Sequence, residues 1–258
     1  MDILLTNDDG IDSPGLRALY EALSSVGDVL VVAPAADQSA VGRALSYEVD
    51  VEQHEIGYAI EGTPADCVVA GLEAIGPYPD LIVAGCNRGA NLGAYVLGRS
   101  GTVSAAVEGA FFGLPSIAVS LCIPGDADFA NTHPAVEDYA EAARATAYLA
   151  ERAMDEGVFD EAEYLNVNAP MADDGPAPMA VTRPSHTYDM TATHEADGTI
   201  TLTDRIWEHM RAGDLEEPEG TDRHAVMNGR ISVSPLTAPH TTEHHPALDE
   251  LADAYPGD

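Results

Sequence analysis

Short apolar runs recur along the first two thirds of the chain, and amphipathic stretches separate most of them. The runs lie at residues 3–5, 29–33, 81–84, 116–121 and 164–168. Successive apolar residues are typical of strands buried on both faces, as in a parallel sheet covered by helices. The pattern therefore predicts an α/β fold with a mostly parallel sheet.

The stretches between these runs carry helix start signals. Ser13 and Pro14 open a predicted helix to residue 23, and Thr63, Pro64 and Asp66 form a capping-box-like start. Further helices are predicted at residues 103–110 and 136–154. β-rich residues around 47–49 and 58–60 predict a hairpin.

The pattern changes beyond about residue 184, where short alternating stretches stand among Gly, Pro and charged residues. We expect a main domain at residues 1–184, a β-rich extension at 185–240 that packs on the main domain or on a second subunit, and an acidic, mobile tail at 241–258. His240, His244 and His245 lie near the C-terminus. A polar tail is favoured over a metal site there.

The charge is unusual, because 44 acidic residues face 11 basic ones and give a net charge of −33. The chain has no Lys, so every basic residue is Arg. Nucleic acid and anionic membrane surfaces are therefore not expected as partners. Acidic residues spread along a Lys-poor chain resemble the surfaces of proteins from salt-loving organisms, and we expect instability at low salt.

Cys67, Cys86 and Cys122 are odd in number and contain no C-x-x-C pair. They indicate reduced, mostly buried thiols and a cytoplasmic protein. No segment reaches the ~18 apolar residues of a membrane span, and the N-terminus lacks a signal-peptide pattern.

The first apolar run ends in Asn7, Asp8, Asp9 and Gly10. Gly10 allows the chain to turn, so both carboxylates can converge at the carboxyl end of the strand, where open α/β sheets bind ligands. Two adjacent hard oxygen ligands suit Mg²⁺ or Mn²⁺. A polar turn whose Asp caps the next helix is the alternative, and for this motif alone it is favoured.

Other polar segments follow later strands on the same rim. Ser39 lies in a small, polar loop after the second strand, and a Gly- and Asn-rich loop at residues 85–93 follows the third. Ser100, Gly101 and Thr102 precede an Ala-rich helix, and such a helix N-terminus can bind an anion. Ser100 or Thr102 could instead only cap the helix. A P-loop is excluded because it needs a Lys.

Together these segments resemble the survival-protein SurE family. The motifs that carry the resemblance are residues 7–10 (NDDG), 31–34 followed by Ser39, 62–68 (GTPADCV), 85–93 (GCNRGANLG), 100–109 (SGTVSAAVEG), 165–170 (LNVNAP), 220–222 (GTD) and 231–236 (ISVSPL). They span nearly the whole chain. The resemblance implies a Rossmann-like three-layer sandwich with a C-terminal arm exchanged between subunits.

The resemblance also implies site residues. The metal ligands of the family fall on Asp8, Asp9, Ser39 and Asn87, with Asp8 and Asp9 as the catalytic pair. The phosphate- and substrate-binding groups fall on Asn91, Ser100, Gly101 and Thr102, with Arg88 and Arg99 as further rim cations. The family usually has Tyr where this chain has Arg99, and small residues where it has Tyr95.

The implied activity is a divalent-metal-dependent phosphatase acting on nucleoside 5′-monophosphates, with 3′-monophosphates and polyphosphate as further substrates to consider. One Mn²⁺, Mg²⁺ or Co²⁺ ion per subunit and a homodimer or homotetramer are expected. The alternative is a nucleotide- or polyphosphate-binding protein without turnover. Whether Asp9 acts as a general base or only as a ligand is left open.

Overall fold

The computed structural model describes residues 1–123, 131–171, 175–238, 240 and 246–254. Its strands are β1 (Asp2–Thr6), β2 (Asp28–Pro34), β3 (Val51–His54), β4 (Gly57–Ile60), β5 (Leu81–Arg88), β6 (Ser116–Cys122), β7 (Tyr164–Pro170), β8 (Met179–Val181), β9 (Met190–His194), β10 (Ile200–Asp204) and β11 (Ile231–Leu236). Its α-helices are α1 (Pro14–Leu23), α2 (Pro64–Ala70), α3 (Ala94–Leu97), α4 (Gly101–Phe111), α5 (Ala140–Arg152), α6 (Arg205–Ala212), α7 (Asp222–Met227) and α8 (Pro246–Asp253).

Within the described residues, nine strands form one sheet in the order β3-β4-β2-β1-β5-β6-β7-β11-β8, and β9 and β10 form a separate antiparallel pair. The run from β4 through β2, β1, β5 and β6 to β7 is parallel. Antiparallel pairing occurs at β3 and between β7 and β11. The predicted α/β fold with a mostly parallel sheet is confirmed.

Helices cover both faces of this sheet, and alternate residues of β1 show the two sides. Ile3 and Leu5 lie in one apolar cluster with Leu16 of α1 and Leu149 of α5. Leu4 points the other way, into a cluster that contains residues of α2 and α4. The arrangement is therefore three-layered, with the sheet in the middle.

The predicted helix starts are confirmed at two places. The Ser13 side chain accepts a hydrogen bond from the Leu16 amide at 3.4 Å. Thr63 and Asp66 form a reciprocal capping box. The expected helix at 136–154 begins instead as a 3₁₀ turn, Val136–Tyr139, before α5.

The hairpin lies later than one predicted strand. β3 pairs with β4 from Val51 opposite Ile60 to His54 opposite Gly57, so the prediction of a strand at 47–49 was wrong. The short turn after His54 sets this register, and Tyr47 is left fully exposed.

Residues beyond 184 do not form only a separate extension. β11 lies in the main sheet between β7 and β8, and α6 was not predicted. The three-part division of the chain stays a prediction. Two parts of the predicted tail lie outside the described residues, namely 241–245, which contain His244 and His245, and 255–258. The described part of the tail contains α8. None of the helices in the described ranges has the length and apolar character that a bilayer span requires.

Candidate active site

The turn after β1 is built by Asn7. Its side-chain amide donates to the Gly10 carbonyl at 2.8 Å and to Ser13 Oγ at 2.7 Å, which ties the turn to the start of α1. Gly10 has φ +95°, a left-handed conformation that glycine adopts without strain. Asp8 and Asp9 are thereby held at the carboxyl end of the central strand.

Asp8 is buried against the N-terminus of α4. Its carboxylate accepts hydrogen bonds from the Thr102 amide, at 3.1 Å, and from the Thr102 hydroxyl. A Cβ atom added at Gly101 would lie 2.8 Å from the Asp8 side chain, so only glycine leaves room there. Burial raises the pKa of Asp8 to about 6, while the Thr102 bonds lower it and the neighbouring Asp9 charge raises it further.

Asp9 contacts β5, the strand that lies next to β1 in the sheet. Its Oδ2 accepts a hydrogen bond from the Arg88 amide at 2.8 Å, at the end of β5. Burial raises the pKa of Asp9, and the Arg88 amide opposes that shift. Asp8 is therefore held by the start of α4 and Asp9 by the end of β5. Burial disfavours the charged form of both carboxyl groups.

The loop that carries Ser39 lies against this turn. The Gln38 amide donates to the Asp8 carbonyl at 2.7 Å. Ser39 is exposed, and its hydroxyl donates to Asp37 Oδ1 at 2.6 Å, so the hydroxyl lone pairs remain available to a cation. The structure thus brings the Ser39 loop to the Asp8 turn.

Asn87 lies near the end of β5, and Asn91 lies in the loop that follows this strand. The Asn87 amide nitrogen donates to the Gly89 carbonyl at 2.6 Å, which leaves its side-chain oxygen for another partner. Asn91 is buried, and its side chain donates to Ser120 Oγ at 2.9 Å. Asn168 holds the Asn91 backbone by accepting from its amide at 2.7 Å.

The start of α4 has one amide to spare. Ser100 caps the helix, because its hydroxyl accepts from the Val103 amide at 3.1 Å. The Thr102 amide is already donated to Asp8. The Gly101 amide has no hydrogen-bond partner among the described residues. The predicted anion site therefore has one open donor, next to Asp8, together with the positive end of the helix dipole.

The rim arginines have different surroundings. The Arg88 guanidinium donates to the Thr132 carbonyl at 3.1 Å. Arg99 is exposed and lies over the rings of Tyr95 and Tyr188. Arg43 pairs with Glu108 of α4 at 3.4 Å, which fastens the Ser39 loop to that helix.

The donor set fits a hard divalent cation. Asp8 and Asp9 lie close enough for the negative charge of Asp9 to raise the pKa of Asp8. A divalent cation bound between the two carboxylates would offset this repulsion. No group of three or more His, Cys, Asp or Glu suitable for a metal occurs in the part of the chain that the structure describes. A metal here would need the neutral oxygens of Ser39 and Asn87 as well.

The sequence analysis named Thr102 and Arg88 but missed their contacts with the two carboxylates. The Thr102 bonds to Asp8 and the Arg88 amide bond to Asp9 join positions 94 and 79 residues apart. No local pattern signals such pairs. Asn166 and Asn168 were visible as polar residues alternating within a buried strand, and both donate to the Asn91 carbonyl. That alternation was the available signal.

Comparison with known proteins gives a consistent picture. The family model described as "Survival protein SurE" matches residues 3–191. The 5′-nucleotidase SurE of Haloarcula marismortui is 66% identical over 99% of this chain and 96% of its own length. The 5′-nucleotidase SurE of Halobacterium salinarum is 63% identical over 98% of both chains.

A solved structure agrees with these relatives. The crystal structure of the SurE protein from Aquifex aeolicus superposes with a TM-score of 0.80 at 32% identity, covering 98% of this chain and all of that one. The two relatives named above come from halophilic archaea, in keeping with the acidic composition. The chain therefore belongs to the survival protein SurE family.

Proposed function

We propose that this chain is a divalent-metal-dependent phosphatase that hydrolyses nucleoside 5′-monophosphates to nucleoside and phosphate. The observation that carries the proposal is the buried Asp8 carboxylate beside Asp9, held against the start of α4, where no described residue accepts from the Gly101 amide. Its relatives bear the name 5′-nucleotidase, which supports the same reaction.

The cofactor of the proposal is one Mn²⁺, Mg²⁺ or Co²⁺ ion per subunit, held by Asp8, Asp9, Ser39 and Asn87. When bound, such an ion would polarise a phosphate oxygen and favour ionisation of a water molecule. It would also provide positive charge for an anionic substrate that approaches a chain of net charge −33.

The chain's own groups would bind and orient the phosphate. The Gly101 amide and the α4 dipole can stabilise negative charge on the phosphate oxygens. The Asn91 side chain belongs to the segment between β5 and α4. Ser100 and Thr102 keep the helix start in place, through the cap and through Asp8. Arg88 and Arg99 supply rim cations. Asp9 is the candidate general base, as an alternative to a role as ligand only.

The proposal also includes 3′-nucleoside monophosphates and polyphosphate as further substrates. Hydrolysis of 3′-monophosphates and polyphosphate uses the same phosphate site, which would admit them if the rim loops leave room. The competing function is nucleotide or polyphosphate binding without turnover. All four proposed ligands are present, which favours catalysis, because a chain that has lost turnover has usually lost ligands.

We further propose a cytoplasmic homodimer or homotetramer assembled through the C-terminal arm. Exposed apolar side chains support an interface there, since Ile200 and Leu202 in the arm are 64% and 71% exposed and Val181 of β8, just before the arm, is 78% exposed. The β9–β10 pair, which carries two of them, has no other strand on either side within the described residues.

The test is phosphate release at molar KCl from a panel of 5′- and 3′-nucleoside monophosphates and polyphosphate, with Mn²⁺, Mg²⁺, Co²⁺ or EDTA. We expect release from 5′-monophosphates that EDTA and Asp9→Ala both abolish. Nucleotide binding by a folded, metal-loaded protein without any release would instead support the binding function.

A further inference from the structure

Three side chains form a cluster beside the start of α4, which we call the Tyr95–Arg99–Tyr188 platform. The two tyrosine rings meet edge to face with centroids 5.0 Å apart. The Arg99 guanidinium carbon lies 5.2 Å from the Tyr95 centroid and 5.9 Å from the Tyr188 centroid. These are distances of cation–π contact.

The platform is anchored from beneath. The Tyr95 hydroxyl donates to Asp204 Oδ2 at 2.5 Å, and the guanidinium carbon of the buried Arg223 lies 5.4 Å from the Tyr95 ring centroid. Arg223 also donates to the Thr187 carbonyl at 2.9 Å, next to Tyr188. Arg99 is thus an exposed cation on two aromatic rings, one of which, Tyr95, is held by buried polar contacts.

The charge of Arg99 is not neutralised locally. Six arginines form ion pairs with carboxylates, namely Arg17, Arg43, Arg144, Arg152, Arg205 and Arg223, whereas Arg99 has no carboxylate partner among the described residues. Its polar contact is with the Tyr188 hydroxyl, at 3.4 Å. In a chain with 44 acidic residues, an exposed cation held on rings rather than on a carboxylate stays open to a ligand.

The position of Arg99 suits the part of a substrate that lies beyond its phosphate. Arg99 immediately precedes Ser100, the cap of α4, and Gly98 on its other side lies against Gly42 of the Ser39 loop. Consecutive Cα atoms are about 3.8 Å apart, so Arg99 is within a nucleoside's length of the Gly101 amide. A planar guanidinium supported by aromatic rings offers a stacking surface for a nucleobase.

We propose that the Tyr95–Arg99–Tyr188 platform binds the base of the nucleoside monophosphate, with Arg99 as the stacking residue. The inference rests on the proposed function, because it names the substrate group that the site recognises besides phosphate. It assigns Arg99 to the base and not to the phosphate.

The experiment compares adenosine 5′-monophosphate with ribose 5-phosphate, which keeps the phosphate and sugar but has no base. Dissociation constants by calorimetry and KM values are measured at molar KCl with Mn²⁺ for the unaltered chain, Arg99→Ala, Arg99→Lys and Arg99→Tyr. The control is Arg152→Ala, since Arg152 is also exposed and lies 5.9 Å from the Tyr148 ring, but on α5.

Arg99→Ala and Arg99→Lys should each weaken adenosine monophosphate binding about tenfold and leave ribose 5-phosphate unchanged, because Lys keeps the charge but not the plane. Arg99→Tyr should retain most of the affinity, and Arg152→Ala all of it. Equal losses for both ligands, full retention by Arg99→Lys, or no loss in Arg99→Ala would each overturn the platform. Binding that follows these expectations without turnover would keep the platform and refute only the phosphatase.

Discussion

At the scale of single residues, the site depends on how closely Gly101 approaches Asp8. A methyl group at Gly101 would lie 2.8 Å from the Asp8 side chain, nearer than real Cβ atoms come. Gly101→Ala should therefore displace the carboxylate and lower kcat/KM by up to about 100-fold, because small misplacements of reacting groups cost that much.

The matched control for this change is Gly98→Ala. Gly98 lies three residues away and faces open space, with an ordinary φ of −80°. Its substitution should leave phosphate release within about twofold. Phosphate release would be measured for both variants under identical metal and salt, and a Gly101→Ala protein as active as Gly98→Ala would contradict the close-packing argument.

The titration of Asp8 gives a second expectation at this scale. Burial raises the pKa of Asp8 from 3.8 to about 6 in the folded chain. Between these values the folded state binds the extra proton, so the contribution of Asp8 to stability falls as pH rises from about 4 to about 6.

The metal-free protein and Asp8→Asn should show this difference directly. We expect the free energy of unfolding of the unaltered chain, relative to Asp8→Asn, to fall by up to about 3 kcal/mol across that window and to level off above it. Urea unfolding in EDTA at molar KCl and a series of pH values measures it. A difference that stays constant with pH would show that Asp8 is not perturbed.

At the scale of elements, the loop between Asn91 and Ser100 is joined to the C-terminal part of the chain. Asp222 accepts from the Gly93 amide at 2.7 Å, and Arg223 pairs with Glu217 at 3.0 Å with both side chains 1% exposed. Removing one partner of a buried ion pair lowers the free energy of unfolding by about 3–5 kcal/mol, because the other charge is left buried without a counter-charge.

Arg223→Met should therefore destabilise the fold by roughly 3–5 kcal/mol. Adding Glu217→Met to Arg223→Met should recover part of that loss, since the uncompensated carboxylate is then gone. Urea unfolding of the two single variants and the double variant gives the coupling energy. Strictly additive effects would argue against a direct pair.

The elements show why some structure was predictable and some was not. β1, β2 and the capped helices carry their signals within a few residues, as in the Thr63–Asp66 box. β11 was assigned to an extension because its short alternating sequence, which includes Ser232 and Ser234, stands among Gly, Pro and charged residues. Both are buried and contact the Thr182 hydroxyl at 2.8 Å, a pairing that sequence periodicity does not show.

The same limit applies to α6 and to the site. α6 is a short helix that buries one apolar residue fully, Ile206, and its cap by Asp204 was not recognised in the sequence. The turn chemistry of Asp8 and Asp9 was readable at once, whereas the contact of Asp8 with Thr102 depends on how the sheet brings distant loops together. Ligand assignments for Ser39 and Asn87 stay predictions.

At the scale of the whole molecule, the net charge of −33 should make the stability of the fold depend on salt concentration. The Debye length rises from about 3 Å at 1 M salt to about 10 Å at 0.1 M, so the carboxylates repel one another over longer distances as salt is removed. We expect Tm to fall by roughly 10 °C or more over this range, which corresponds to about 3 kcal/mol.

Thermal unfolding in a KCl series would measure this effect, with sucrose in 0.1 M KCl as the control. Sucrose stabilises by exclusion from the surface and does not screen charge, so it should restore less of the Tm than KCl does. Equal recovery in sucrose would indicate a general solvent effect in place of charge repulsion.

The place of β11 in the sheet also bears on how the chain folds during its synthesis. β7 pairs with β11 from Tyr164 to Asn168, and β8 pairs with the opposite edge of β11. A nascent chain released only as far as residue 230 would present β7 as an open edge, which is a site for association with other chains. The ribosome must therefore release residues 231–236 before β7 and β8 gain their shared partner strand.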